Sequence, residues 1–221
     1  AVREARADKL AKLEKLSLDD IWKDDEARQF AVRMGEATFK LHCVQCHGAG
    51  AQGGFGYPNL RDDDWLWGGT LDAIHYTITH GIRYNPDTNE DTRTSDMPAF
   101  GEQLSPEQID AVSEYVLQLA GLPHDAKKGE AGKKIFMEDA GCNGCHGDKG
   151  EGIQDVGGPR LADKLWLYSV GSDPGAIRKM VVEQITTPRH GVMPAWKDRL
   201  DPATIKSLAI YVYSLGGGAK S

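Results

Sequence analysis

Two pentapeptides of one form, CVQCH at Cys43–His47 and CNGCH at Cys142–His146, use all four cysteines of the 221-residue chain. Two thiols separated by two residues and followed at once by a histidine form the attachment signal for haem c. That histidine then becomes an axial ligand of the iron. A redox dithiol or a structural zinc site would use these cysteines but leave both histidines unexplained. The sequence therefore predicts two covalent haem c groups, attached through Cys43, Cys46, Cys142 and Cys145.

Each motif begins one copy of an internal repeat. The first copy continues with YPNL, ITHG, MPAF and LSPEQIDAVSEYVLQLAG, and the second with GPRL, ITTPRHG, MPAW and LDPATIKSLAIYVYSLGG. Self-similarity of this kind indicates one structural unit written twice. Its last helix has the clearest signals, because Ser105 and Asp201 are suited to cap free amides and a proline follows each at the first helical position.

These patterns predict an all-α fold of two tandem class I cytochrome c-like domains, each around one covalent haem c. We place an N-terminal helical arm or linker at residues 1–25, the first domain at 26–122 and the second at 123–221. The arm alternates charged residues with leucines, so it is either a loose tail or a stalk to a membrane or partner. In the helix that enters the first motif we expect an apolar stripe of Phe30, Met34, Ala37 and Leu41.

The chain is acidic, with 33 Asp and Glu residues against 26 Lys and Arg residues and a net charge of −7. This balance argues against nucleic acid as a partner and suits docking to a basic protein face. No uncharged apolar run approaches the roughly 20 residues that a membrane helix needs. Because haem c is attached outside the cytoplasm, we expect a periplasmic protein. The sequence starts at Ala1 without signal-peptide features, so we expect that a signal or membrane anchor has been removed.

Two methionines occupy matched positions that suit the sixth ligand of each iron. Met97 and Met193 lie in M-P-A-[FW], a loop and a helix after each attachment motif. A thioether ligand favours ferrous iron and raises the reduction potential. His80 and His190, each before a glycine, are the rival ligands and would give two bis-histidine haems of lower potential. We prefer to read these two histidines as propionate contacts or turn caps.

A second matched element, G-x-P-x-L, follows each proximal histidine. A ligating histidine needs an acceptor for its other ring nitrogen, and the carbonyl of Pro58 or Pro159 in a rigid turn suits that role. Leu60 and Leu161 would then pack on the porphyrin faces. Further candidate contacts, with the haem propionates, are Trp65, Trp67, Arg160 and Trp166.

The two copies differ by a polar insert, IRYNPDTNEDTRTSD at residues 82–96, which the second copy lacks. Its turn-rich composition predicts a surface segment near the ligand side of the first haem. Two roles remain open for it, a shield over the iron and a docking face.

The strings DDDWLWGG at Asp62–Gly69 and ITHGIRYNPDTNEDTRTSDMPAFG at Ile78–Gly101 resemble the dihaem subunit of cbb3-type cytochrome c oxidases, the CcoP or FixP family. The resemblance implies a periplasmic two-domain cytochrome c on a transmembrane anchor, within a haem–copper oxidase of the inner membrane. It also implies that electrons arrive from a soluble cytochrome c. They then pass through a monohaem cytochrome subunit to the catalytic haem–copper subunit, where oxygen is reduced and protons are pumped. The implied anchor lies outside this chain.

The resemblance also implies the complete set of iron ligands, which are His47, Met97, His146 and Met193. Pairing within each copy, His47 with Met97 and His146 with Met193, is the simplest expectation from the repeat. An exchanged arrangement would use the same residues, and the sequence leaves it open.

Three functions compete at this point. An electron-transfer subunit of a terminal oxidase needs two irons with both axial positions filled, and need not catalyse anything itself. A free periplasmic dihaem carrier would share the repeat but gives no reason for the arm or the insert. A dihaem enzyme such as a peroxidase would need one open iron, and the two matched methionines argue against it.

Overall fold

The computed structural model describes residues 2–168 and 171–217, and within these ranges it is helical with a few isolated β-bridges and no strand. The predicted all-α class is therefore confirmed. The helices are α1 (Val2–Lys15), α2 (Leu18–Lys23), α3 (Asp25–His42), α4 (Val44–His47), α5 (Leu71–His80), α6 (Pro106–Leu119), α7 (Ala126–Lys134), α8 (Asn143–His146), α9 (Pro174–Thr186) and α10 (Pro202–Ser214). Short 3-10 turns lie at Phe100–Glu102 and Gln154–Val156, and a π-helical turn at Ile135–Asp139.

The chain forms two compact units that exchange their last helices. The first unit runs up to Thr94 and resumes at Gly191, and the second is Ser95–His190. In the first, α10 packs against α3 and α5; in the second, α6 packs against α7 and α9. The predicted domains, 26–122 and 123–221, follow the sequence repeat, whereas the compact units do not. The two helices can exchange places because α6 and α10 are the matching last helices of the two copies and present similar packing faces.

A glycine lies at the helix crossing in each unit. A Cβ atom added to Gly35 on α3 would lie 2.1 Å from the carbonyl oxygen of Ser207, and one added to Gly132 on α7 would lie 1.9 Å from that of Ala111. Ser207 and Ala111 occupy matched positions of the repeat. Each unit is therefore built on the same close crossing, between the first helix of one copy and the last helix of the other.

This crossing also corrects the predicted stripe on α3. The buried side of α3 carries Ala27, Ala31, Gly35 and Phe39, while Leu41 is 77% exposed. At the crossing itself a glycine, Gly35, takes the place of a larger residue, because the partner backbone comes too close for any side chain.

The N-terminal arm is part of the first unit from α1 onward. Leu13 and Ile21 are fully buried in its core, and α1 packs against both α3 and α10. The Nζ of Lys206 donates to the carbonyl oxygens of Glu14 at 2.8 Å and Leu16 at 2.7 Å, which satisfies free carbonyls at the end of α1. This packing contradicts the loose-tail interpretation.

We predict that Gly35→Ala destabilises the holoprotein by about 1–3 kcal/mol, because its methyl group meets backbone that cannot move without separating the helices. Gly129→Ala on α7 is the control, since a Cβ at this helical glycine approaches only the end of the flexible Gln118 side chain, at 2.9 Å, and no backbone atom closer than 3.7 Å. Denaturant unfolding followed by circular dichroism measures both. Equal stability of the two variants would contradict the crossing.

Candidate haem sites

Each attachment motif is a single helical turn that brings its functional groups together. The amide of His47 donates to the carbonyl of Cys43 at 2.9 Å, and that of His146 to the carbonyl of Cys142 at 3.0 Å. A thiol and the imidazole four residues later thus lie on one side of the turn. None of the four cysteines forms a disulfide, so all four are available for thioether bonds to a porphyrin. Burial raises the pKa of Cys43 and of Cys142 to about 11, so these two thiols are neutral.

The two imidazole rings are oriented by the prolines that the sequence singled out. His47 Nδ1 lies 3.2 Å from the carbonyl oxygen of Pro58, and His146 Nδ1 lies 2.9 Å from that of Pro159. With Nδ1–H donating to a carbonyl, Nε2 is the nitrogen left for a metal. Burial lowers the pKa of both histidines, which favours the neutral imidazole that can bind iron.

The loop that carries each proline is tied back to its own motif. The amide of Leu60 donates to the carbonyl of Ala51 at 2.9 Å, and that of Leu161 to the carbonyl of Gly150 at 2.7 Å. Leu60 is partly buried in the hydrophobic cluster of the first unit, and Leu161 in that of the second, which also include the first cysteine of each motif. Both leucines are therefore held close to the attachment turn.

Each methionine lies in the compact unit that contains the attachment motif of the opposite copy. Met193 belongs to the hydrophobic cluster of the first unit, as do Cys43 and Leu60, and its backbone pairs with Ile82 in both directions, at 2.9 and 3.0 Å. In the second unit, Met97 belongs to the same cluster as Cys142 and Leu161. The 3-10 turn that follows Met97 lies against the end of α9. Each unit thus contains one attachment motif and one methionine that stand in different copies of the sequence.

The rival histidines have other surroundings. His80 Nδ1 lies 3.5 Å from Asp91 Oδ2, and its ring packs on Tyr76 with the ring centres 4.4 Å apart. Burial lowers the pKa of His80, with Asp91 opposing that shift. His190 is exposed at the end of the second unit. This geometry favours the methionines over both histidines as candidate ligands.

A buried indole N–H in the second unit fits the carboxylate end of a haem. Trp166 Nε1 and Asp163 Oδ2 are buried and have no hydrogen-bond partner among the described residues. An unpaired buried donor costs about 1–3 kcal/mol, so the indole N–H calls for an acceptor that a propionate would supply. Arg160, whose Nε lies 3.8 Å from Asp163 Oδ2, adds positive charge there.

The matched tryptophan of the first unit, Trp65, already has acceptors for its indole N–H. Trp65 Nε1 donates to the carbonyl of Asp62 at 3.1 Å and to that of Gly217 in the turn after α10. The guanidinium of Arg93 lies over the ring of Trp67, with its Cζ atom 5.1 Å from the ring centre. Sequence reasoning treated Trp65, Trp67 and Trp166 alike and overlooked Asp163. The recurrence of an aspartate at the matched position, Asp62, could have pointed to it.

A sequence profile of the family described as cytochrome c oxidase, cbb3-type, subunit III matches residues 30–116 and 127–212. The chain belongs to this family. It is similar to the cbb3-type oxidase subunit FixPc of Rhizobium leguminosarum bv. viciae, with 48% identity over 91% of the chain and 67% of the relative. It is also similar to FixP of Sinorhizobium medicae (strain WSM419), at 44% identity, and to CcoP of Cereibacter sphaeroides, at 47%. Each of these two alignments spans 99% of the chain and 72% of the relative.

Membership confirms the resemblance seen in the sequence. The protein is a dihaem electron-transfer subunit of a cbb3-type oxidase, and it carries two covalent haem c groups with their iron. These relatives are named as subunits of cbb3-type cytochrome c oxidases. Within the described ranges, none of the helices has the length and apolar character needed to span a membrane.

We predict that Trp166→Phe lowers the reduction potential of the haem bound to the second unit by about 20–60 mV. Loss of one hydrogen bond to a propionate, worth about 0.5–1.5 kcal/mol, leaves more negative charge near the iron and favours the ferric state. Trp65→Phe is the matched control, because that indole is already bound to backbone carbonyls. A redox titration that resolves the two haems measures the shifts. An unchanged potential in Trp166→Phe would refute the propionate contact.

Proposed function

We propose that the chain relays electrons through two six-coordinate haems with exchanged ligands, His47 with Met193 and His146 with Met97. The observation that carries this pairing is the composition of the two compact units, each of which has one motif and the methionine of the other copy. The proposal departs from pairing within each copy, the simplest expectation from the repeat. Cys43, Cys46, Cys142 and Cys145 would attach the two porphyrins.

The residues around each site suit electron transfer without substrate binding. His47 with Met193, and His146 with Met97, would hold the two haem irons, which would supply one-electron chemistry between the ferrous and ferric states. The carbonyls of Pro58 and Pro159 fix the tautomer and orientation of the imidazole rings. Leu60 and Leu161 pack beside the motifs and exclude water there. A dihaem peroxidase would need an open iron, which this ligand set does not provide.

We infer further that the donor is a soluble cytochrome c, and that electrons leave through a monohaem cytochrome subunit toward the catalytic haem–copper subunit. The relatives are named as subunits of cbb3-type oxidases, which supports assembly rather than a free carrier. Covalent haem c supports a location on the periplasmic side of the inner membrane, with the full-length protein held by an anchor. No nucleic acid is involved.

The ligand pairing can be read in the reduced holoprotein, where ferrous low-spin iron is diamagnetic. We predict two strongly shifted methionine methyl signals, one lost in Met193→Leu and the other in Met97→Leu. Nuclear Overhauser contacts should join the Met193 methyl to the porphyrin that contacts Leu60. The Met97 methyl should contact the porphyrin next to Leu161. The opposite connections would establish pairing within each copy, and Met34→Leu should leave both signals in place.

The donor proposal predicts a dependence on salt. With a net charge of −7, reduction of the holoprotein by a basic cytochrome c should slow at least about tenfold as ionic strength rises from 0.01 to 1 M, because the screening length falls from about 30 to 3 Å. Stopped-flow absorbance measures this rate, and an acidic cytochrome c is the control. A rate that rises with salt for the basic donor would refute electrostatic docking.

A further inference from the structure

The insert that distinguishes the first copy lies directly against the segment that carries Met193. Ile82, the first residue of the insert, forms an antiparallel bridge with Met193 and a parallel bridge with Arg93. The preceding Gly81 has a φ of +74°, and a Cβ added there would lie 2.4 Å from the carbonyl oxygen of Met193. Only a glycine permits this approach, so the backbone of the Met193 segment is fixed against the start of the insert.

Side chains of the insert hold the same segment on both sides of Met193. Before it, Arg83 Nε donates to the carbonyl of Gly191 at 2.7 Å. After it, Lys197 Nζ donates to Asn89 Oδ1 at 3.0 Å, and Arg199 Nη2 donates to the hydroxyl of Tyr84 at 3.2 Å. Contacts with the insert thus hold the chain from Gly191, two residues before Met193, to Arg199, six residues after it.

Asn89 joins three parts of this arrangement. Its side chain is buried, and its Nδ2 donates to the carbonyl of His80 at 2.8 Å while its Oδ1 accepts from Lys197. His80 ends α5, so one amide connects that helix, the insert and the segment after Met193. Asp91 supports the same contact, because its Oδ2 lies 3.7 Å from Lys197 Nζ.

The far end of the insert is anchored on α5. Arg93 Nε donates to Thr77 Oγ1 at 2.9 Å, and its guanidinium lies 5.1 Å from the ring centre of Trp67 and 4.8 Å from that of Tyr76. A partly buried cation stacked between two aromatic rings and hydrogen-bonded to a helix is a rigid attachment. The insert is therefore fixed to α5 at one end and to the Met193 segment at the other.

We propose that residues 82–93 are a brace that positions Met193 on the iron of the first unit, with Asn89 as its central positioning residue. This proposal rests on the proposed function in that it takes Met193 as the sixth ligand there. Neither role considered for the insert from the sequence, a shield or a docking face, includes this one. In the sequence the insert leads directly to Met97, yet its contacts hold the methionine of the other copy.

The test measures how readily imidazole replaces methionine in the ferric holoprotein. Asn89→Leu keeps the approximate side-chain volume but removes both hydrogen bonds. It should increase the imidazole affinity of the haem in the first unit about tenfold, a change of about 1.4 kcal/mol in binding free energy. The methyl signal of Met193 should broaden while that of Met97 stays unchanged. Glu90→Gln, at an exposed neighbour in the insert, should leave both haems as in the wild type.

A second variant keeps the test decisive if Asn89→Leu does not fold. Lys197→Met removes the partner of Asn89 and leaves the insert intact, and it should raise imidazole affinity at the same haem. Unchanged affinity in both variants, with native circular dichroism, would overturn the brace. A response at the Met97 haem would also overturn it, and slower reduction by a donor with unchanged imidazole affinity would indicate a docking face instead.

Failure of the ligand assignment gives a different result from failure of the brace. If Met193 does not bind iron, Met193→Leu leaves the near-infrared thioether-to-iron absorption band at full intensity. If Met193 is a ligand but the brace is not needed, Met193→Leu halves the band whereas Asn89→Leu leaves both the band and the imidazole affinity unchanged.

Discussion

The close crossing of α3 and α10 at Gly35 is the constraint on which the first haem site depends. Because no side chain fits between Gly35 and the backbone at Ser207, α10 is fixed against the helix that leads into the Cys43 motif. The M-P-A-W segment directly precedes α10 and must follow it into the first unit. The amide of Trp196 donates to the carbonyl of Ile78 at 3.1 Å and ties that segment to α5. The choice of last helix therefore decides which methionine reaches which motif.

Local features of the site follow from the sequence, because neighbouring residues determine them. The attachment turns, the proline carbonyls at the imidazoles and the caps at Ser105 and Asp201 are all found in the structure. The exchange could not be predicted from pattern alone. Two copies of one helix carry similar apolar faces, so periodicity indicates that α6 and α10 each cover a site but not which site.

Other features escape sequence reasoning because they depend on long-range partners. Glu114 stands in α6 where a charged residue usually faces water, yet it is 1% exposed and pairs with Arg178 from α9. The matched residue of α10 is Ile210, which is fully buried without needing a partner. Likewise, Trp65 and Trp166 look equivalent in the repeat. They differ because the turn after α10 reaches Trp65, whereas the matched Gly121 has open space around it.

Each proposed methionine ligand lies only two residues after the point where the chain enters its unit. The chain leaves the first unit after Thr94, just before Met97, and returns at Gly191, just before Met193. Arg83 binds the carbonyl of Gly191 at the point of return, so the backbone is held before it reaches the methionine. The insert thus holds the backbone on both sides of the proposed ligand Met193, and it occurs only in the copy that supplies these contacts.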